Sequence, residues 1–249
     1  MRTGFRVVLV ALACVCGRQA VAQEWYTGSG ENKSVSNFGA AIDASLTGTT
    51  KKSEHGGLIG TIAPFSKLEE SGARLRLGGI LGDYTYVSAS PGVGTVVGHE
   101  TAGSVLGGYE WTTPGTSVAV YLGGELQNRT LSKPDPSNKI TGTRVGFKAS
   151  VDFNVNPTSY TMASGNITYS SNNNAYYTRF KAGLAITERI FVGPEMLFLG
   201  DNFYKQWRAG VHLTGARLGP MQFGVSGGYL NDRDQGSGAY GILDARVSF

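Results

Sequence analysis

The sequence predicts an all-β protein: a transmembrane antiparallel up-and-down β-barrel of about 12 strands, with short periplasmic turns and longer outer loops. Three observations carry this prediction. The final stretch, Ser237 to Phe249, alternates Ala239, Gly241, Leu243, Ala245, Val247 and Phe249 on one face with Tyr240, Ile242, Asp244, Arg246 and Ser248 on the other. A strand with one apolar and one mostly polar side suits a wall between lipid and a lumen. The N-terminus carries Arg2 and Arg6, an apolar run from Val7 to Cys16, and Ala20-Val21-Ala22. That order is a secretory signal with an A-x-A cleavage site, and the run is too short to span a bilayer as a helix. Between these ends, segments of about ten residues repeat with period two, the length needed to cross a hydrocarbon layer at a tilt.

The expected organisation is a cleaved signal peptide at 1–22, a polar periplasmic lead-in at 23–36 and an outer-membrane barrel at 37–249. The location that follows is the outer membrane of a Gram-negative bacterium, reached by Sec-type export, with outer-membrane lipid around the barrel. Both cysteines, Cys14 and Cys16, fall in the predicted signal, so the mature chain has no disulfide or cysteine-ligated metal. Ala11-Leu12-Ala13 before Cys14 is a poor match to a lipoprotein site. The chain's net charge is +4, from 22 basic and 18 acidic residues. Removing Arg2, Arg6 and Arg18 leaves 19 against 18, a net +1. The basicity belongs mostly to targeting and argues against a nucleic-acid partner.

The elements follow in order. Asn37–Leu46 places Phe38, Ala40, Ile42, Ala44 and Leu46 together with Asp43 opposite, and Gly57–Phe65 admits either orientation. Leu75, Leu77, Gly79 and Leu81 alternate with Arg74, Arg76 and Gly78. His99–Trp111 gathers Val105, Tyr109 and Trp111. Val118, Val120, Leu122 and Leu126 oppose Tyr121, Glu125, Gln127 and Arg129, and Val145, Phe147, Ala149, Val151 and Phe153 oppose Arg144, Lys148, Ser150 and Asp152. Tyr160–Tyr169 and Ile190–Leu199 admit either orientation, while Phe180, Ala182, Leu184 and Ile186 oppose Arg179 and Lys181. Trp207, Ala209, Val211 and Leu213 oppose Gln206, Arg208 and His212, and Met221, Phe223, Val225 and Tyr229 oppose Gln222, Gly224, Ser226 and Gly228. A helix would scatter these charges over both faces, whereas a strand collects them on one. The same pattern admits a barrel of about ten or fourteen strands. Pro64 and Pro194 lie within segments and cannot donate to a ladder, which predicts a strand end or bulge at each.

The connections alternate in character. Ser66–Gly72, Thr112–Gly115, Asn154–Pro157, Thr187–Arg189 and Leu218–Pro220 read as tight. Thr47–His55, Ser88–Gly98, Ser132–Lys139, Ser170–Asn174, Gly200–Lys205 and Asn231–Gly238 read as longer or more polar. Tyr84, Tyr86, Trp111, Phe153, Tyr160, Tyr176, Tyr177, Phe191, Trp207 and Tyr229 fall near segment ends, where interfacial aromatic girdles sit.

The chemistry-bearing residues are few. Of the histidines His55, His99 and His212, none is placed by the pattern beside a serine at matched height on an adjacent strand, so the sequence assigns no catalytic, cofactor-binding or metal-binding residue. Asn128-Arg129-Thr130 matches a glycosylation sequon by accident, and Gly92-Val93-Gly94 lacks the following helix of a nucleotide motif. The candidate lumen-lining set is Arg74, Arg76, Tyr121, Glu125, Arg129, Arg144, Lys148, Arg179, Lys181, Glu195, Arg208 and Arg246, with Asp43, Asp152 and Asp244 beside it. Two interpretations stay open: paired charges filling a narrow bore, or a basic track for an anionic or sugar-like solute.

Two stretches carry a resemblance. One is E-L-Q-N-R-T-L-S-K-P-D-P-S-N from Glu125 to Asn138, followed by G-T-R-V-G-F-K. The other is G-P-E-M-L-F-L-G-D-N-F-Y-K-Q-W-R-A-G-V-H-L-T-G from Gly193 to Gly215, with S-G-G-Y-L-N-D after it. With A-P-F at Ala63–Phe65 and R-L-R-L-G-G at Arg74–Gly79, these resemble the cellulose biosynthesis protein BcsS family. The resemblance implies a non-catalytic outer-membrane accessory in bacterial cellulose production or export, with cellulose or cello-oligosaccharide and other cellulose-synthesis components as partners. Cellulose is neutral, so a strongly basic track suits conduction poorly and favours a scaffolding role. The alternatives are a narrow porin for anionic oligosaccharides, an outer-membrane lipid-modifying enzyme and a secreted β-sandwich.

Overall fold

The structure is a computed structural model that describes residues 38–138 and 140–249. The signal peptide and the lead-in expected from the sequence lie outside the described residues. Twelve antiparallel strands close into one barrel: β1 (Gly39–Thr49), β2 (Glu54–Ala63), β3 (Gly72–Val87), β4 (Thr95–Thr113), β5 (Thr116–Leu131), β6 (Gly142–Thr158), β7 (Thr161–Ser170), β8 (Ala175–Ala185), β9 (Phe191–Gly200), β10 (Lys205–Leu218), β11 (Met221–Asp232) and β12 (Gly236–Ser248). Each strand pairs with its sequence neighbours, and β1 pairs with β12 from Ala41↔Ser248 to Thr49↔Tyr240. Reciprocal backbone bonds between Ala40 and Phe249 complete the seam. Closure leaves no strand edge unpaired, which is the condition for placing a sheet in hydrocarbon.

The alternation read from the sequence sets the two faces. Leu46, Leu58, Leu77, Leu122, Val145, Leu184, Val211 and Leu243 stand exposed on the outer wall. A continuous apolar outside is unfavourable in water and favourable in lipid. The register settles the strands that sequence left ambiguous. Thr61 on β2, Asn166 on β7 and Glu195 on β9 point inward, whereas Leu58, Ile167 and Met196 point outward.

The two barrel ends differ. The end bearing the chain ends has very short links at 114–115, 159–160 and 219–220, and the opposite end carries the longest link, 132–141. By the usual construction of these barrels, the first end is periplasmic and the second faces outward. The link 64–71 is the long one at the periplasmic end, and 50–53 is a tight outer turn closed by a Thr49 to Ser53 backbone bond.

The prolines divide. Pro64 follows the last residue of β2. Pro194 instead sits inside β9 without a bulge, which corrects the expectation from sequence; the β8–β9 register runs Lys181↔Glu195 and Leu184↔Val192 with no pair between. His212 on β10 fills part of that gap, since its Nε2 donates to the Ala182 carbonyl at 3.1 Å. Its Nδ1 then accepts from the Thr214 hydroxyl at 2.9 Å, so both ring nitrogens are spent on structure.

Candidate functional site

All twelve candidate residues have their side chains in the barrel interior, because they share strand parity with buried positions on every strand. Contacts between non-adjacent strands show that these side chains meet across the bore. Around Glu195, which is fully buried, five strands converge. Arg179 Nε donates to Glu195 Oε2 at 2.8 Å, its Nη1 to Asp244 Oδ1 at 3.1 Å and its Nη2 to Ser226 at 2.9 Å. Lys181 Nζ donates to Asp244 Oδ2 at 3.2 Å, and Tyr240 donates to Glu195 Oε1 at 3.0 Å. Ser45 on β1 donates to Asp244 at 2.9 Å, which ties the cluster across the closing seam. Two cations against two carboxylates make the cluster neutral. A buried charge persists only with such partners.

Six further groups occupy the interior. Arg76 on β3 pairs with Asp152 on β6, and its guanidinium lies 3.6 Å from the centre of the Tyr121 ring. Arg246 pairs with Asp43 at 3.4 Å beside them. Lys148 Nζ donates to Glu125 at 2.7 Å, and Ser170 donates to the other oxygen of the same carboxylate. Arg129 on β5 forms an ion pair with Glu100 on β4 at 3.2 Å and donates from Nη1 to Asp201, in the 201–204 link, at 3.0 Å. Arg208 donates to Gln206 at 2.6 Å and lies over the Tyr240 ring at 5.5 Å. Arg144 donates to Asn173 at 2.7 Å in the outer turn.

Arg74 does something different from lining a path. Its guanidinium donates to the carbonyls of Lys67, Leu68 and Glu70, to Ser66 Oγ at 2.8 Å and to Glu110 at 2.8 Å. It thus folds the 64–71 link under the periplasmic mouth. Leu68 packs so closely on Gly39 that a Cβ there would meet it at 3.0 Å.

The outer mouth carries a latch on its β3 side. Residues 132–138 pack on the tip of β3, with Asp135 accepting from Tyr86 at 2.8 Å, Ser88 at 2.8 Å and Ser137 at 2.6 Å. These donors, that of Ser137 first, hold the Asp135 carboxyl below the usual carboxylate range. A carboxyl whose folded pKa lies below its unfolded value adds stability above the unfolded value and loses it as pH falls toward the folded one. The latch therefore holds through neutral and mildly acidic pH and opens only below the ordinary carboxylate range. Hydrogen exchange at 132–138 should stay slow from neutral pH down to about pH 5 and rise at neutral pH in Asp135→Asn. Equal exchange in the two proteins would dismiss the latch.

The aromatic girdle read from the sequence needs correction. Trp111, Trp207 and Tyr229 are exposed on the outer wall and Tyr160 in the 159–160 link, but Tyr84, Tyr86, Tyr177 and Phe191 point inward. Their parity matches the inward charges of their own strands, and proximity to a strand end does not override it. His99 lies outside, bonded to Asp83 at 2.6 Å. Ser53 Oγ and His55 Nδ1 lie 3.3 Å apart, a serine–histidine contact within one strand end and not between adjacent strands. It joins residues two apart beside a turn, and among the described residues no carboxylate hydrogen-bonds the His55 ring. No cluster among the described residues could hold a metal ion.

A closed twelve-stranded barrel with an apolar outside and a charged inside defines an outer-membrane-type barrel protein. The chain belongs to the cellulose biosynthesis protein BcsS family, whose model matches residues 40–249. It is thus an outer-membrane barrel of cellulose biosynthesis. The sequence finds no match among curated proteins. Among solved structures, it is similar to an outer membrane channel from Pseudomonas putida F1, with a TM-score of 0.52 at 8% identity over 85% of this chain and 95% of that one. It is also similar to the KdgM porin in complex with oligogalacturonate, with a TM-score of 0.46 at 11% identity over 84% and 99%. The β domain of the Bordetella autotransporter BrkA gives 0.46 at 13% identity over 85% and 98%. At these identities the likeness concerns the fold alone.

Proposed function

We propose that this protein is a non-catalytic accessory of cellulose production. After removal of residues 1–22 it inserts in the outer membrane, and its barrel is closed to free diffusion. The observation that carries this reading is the set of ion pairs that cross the bore, Arg76 to Asp152, Arg129 to Asp201 and Arg179 to Asp244. An open pore would leave such side chains against the wall, solvated. The arginines that would form an anion track are each held by a carboxylate, a hydroxyl or an amide, which weighs against the porin alternative. The lumen-lining set thus serves as a bolt across the barrel, and the protein acts on cellulose or on the synthesis machinery without passing a chain through the bore.

Deleting the gene and scoring cellulose by dye binding tests the role. Cellulose should fall and return with the wild-type gene. Unchanged cellulose in the deletion strain would reject the role.

A further inference from the structure

The interior is packed unevenly around the barrel. Against β9 to β12, Leu197, Leu230, Tyr240 and Ile242 form a closed core. At mid-height on β2 to β4 the inward positions are small or neutral, Gly57, Ile59, Gly78, Ile80, Ala102 and Ser104, between Arg76 toward the periplasmic end and Glu100 toward the outer end, each paired with an opposite charge. Ile59 pairs with Asp43 and Gly78, so it faces the interior, yet 37% of its surface is accessible. An inward isoleucine so exposed requires a water-accessible cleft beside it. Nothing lies within 4 Å of where a side chain on Gly57 would begin. Asp43 and Arg246, in their charge-balanced pair, supply a polar edge near Ile59. Below, Ala63, Thr61 and Arg74 are buried and the 64–71 link seals the periplasmic end.

Toward the outer mouth, two rings lie flat on the same wall. Tyr84 covers Gly98, its cross-strand partner, so closely that a Cβ on Gly98 would fall 2.2 Å from the ring. His55 covers its partner Gly82 in the same way, also at 2.2 Å. Glycine is what lets each ring lie against the backbone instead of standing into the bore. Tyr84 and Tyr86 stack, with centroids 6.1 Å apart and planes 23° apart. The Tyr84 hydroxyl is shielded from solvent and has no hydrogen-bond partner among the described residues.

We propose that this cleft binds a single strand of neutral β-linked glucan, admitted from the outer mouth and stopped at the periplasmic floor. The proposal rests on the reading that this barrel serves cellulose production. A flat sugar ring offers C–H faces to aromatic and apolar surface and hydroxyl edges to charged side chains. The flat rings, Ile59 and Ile80 supply the first kind of surface, and the balanced pair supplies the second without net charge. A cleft that is blind at the inner end holds a strand at the cell surface and does not pass it.

The test is calorimetric titration of the purified, detergent-folded barrel with cellohexaose, with α-linked maltohexaose as the control. Cellohexaose should bind and maltohexaose should not. Tyr84→Ala, and Gly98→Val, which pushes the ring off its seat, should each weaken binding by about tenfold or more. Tyr84→Phe should stay within about twofold, since the hydroxyl has no partner to lose. Each variant is scored only after heat-modifiable mobility shows that it is folded. No cellohexaose binding by the wild type, equal binding of maltohexaose, or full binding by folded Tyr84→Ala would overturn the cleft. Loss of cellulose on gene deletion alongside absent cellohexaose binding would reject the cleft and leave the cellulose role standing.

Discussion

Arg179→Ala should destabilise the barrel by about 3–5 kcal/mol, the range for breaking a buried ion pair from one side. Arg179 faces two carboxylates at once, Glu195 and Asp244, and its third donor satisfies Ser226. The Glu195 side chain has no accessible surface. After the substitution Lys181 is the remaining cation, 3.2 Å from Asp244 but 3.8 Å from Glu195, too far for a strong bond to the second carboxylate. The cluster carries net negative charge in a closed interior and links β8, β9, β11 and β12, so the loss reaches beyond one contact. Urea titration read by heat-modifiable mobility gives the midpoint. Arg246→Ala is the comparison: its pair with Asp43 is 3.4 Å long and about a quarter exposed on each side. It should cost about 1 kcal/mol or less. Equal midpoints for the two variants would show that the Glu195 cluster is not the interior's main fastening.

Gly215→Ala is expected to cost about 2–4 kcal/mol, combining left-handed strain with overpacking. Gly215 has φ +100°, and the β10–β11 register shifts between Thr214 and Ala216 around it. It is therefore the extra residue of a bulge, where one strand carries an unpaired position. A Cβ there would lie 1.9 Å from the Arg189 carbonyl oxygen, and backbone cannot move aside as a flexible side chain can. Gly219 provides the control, with φ +59° and nothing within 4 Å of its would-be Cβ. Gly219→Ala should lose only about 1 kcal/mol, the strain alone. The same urea series measures both, and a Gly215→Ala midpoint no lower than that of Gly219→Ala would contradict the close approach to Arg189.

Much of the barrel is legible in the sequence because period-two patterning reports environment directly. The run from Arg144 to Phe153 names its faces without any knowledge of its neighbours. Parity also carries more than proximity to a strand end: Tyr84 and Tyr86 share the parity of Arg74 and Arg76, and Tyr177 shares that of Arg179 and Lys181. The signal for their inward placement is present in the sequence, and an end-of-strand rule hides it. What the sequence does not contain is the pairing across the bore. That Arg129 meets Asp201, or Arg179 meets Asp244, depends on how far the register staggers around the closed sheet. No local pattern encodes that stagger. Arg74 is the sharpest case: its parity marks it as lining, yet its partners are carbonyls of the 64–71 link, which composition cannot foretell. The seating of Tyr84 on Gly98 and of His55 on Gly82 likewise needs the β2–β3–β4 register, which joins residues with no sequence relation.

The central claim is that the interior is bolted shut by its own charges, and single-channel recording in planar bilayers tests it most directly. Wild-type barrel, refolded and shown to be heat-modifiable, should insert without a steady ohmic current at neutral pH. A persistent, anion-selective open-channel conductance would contradict the account and would instead make the inward arginines the track of a porin.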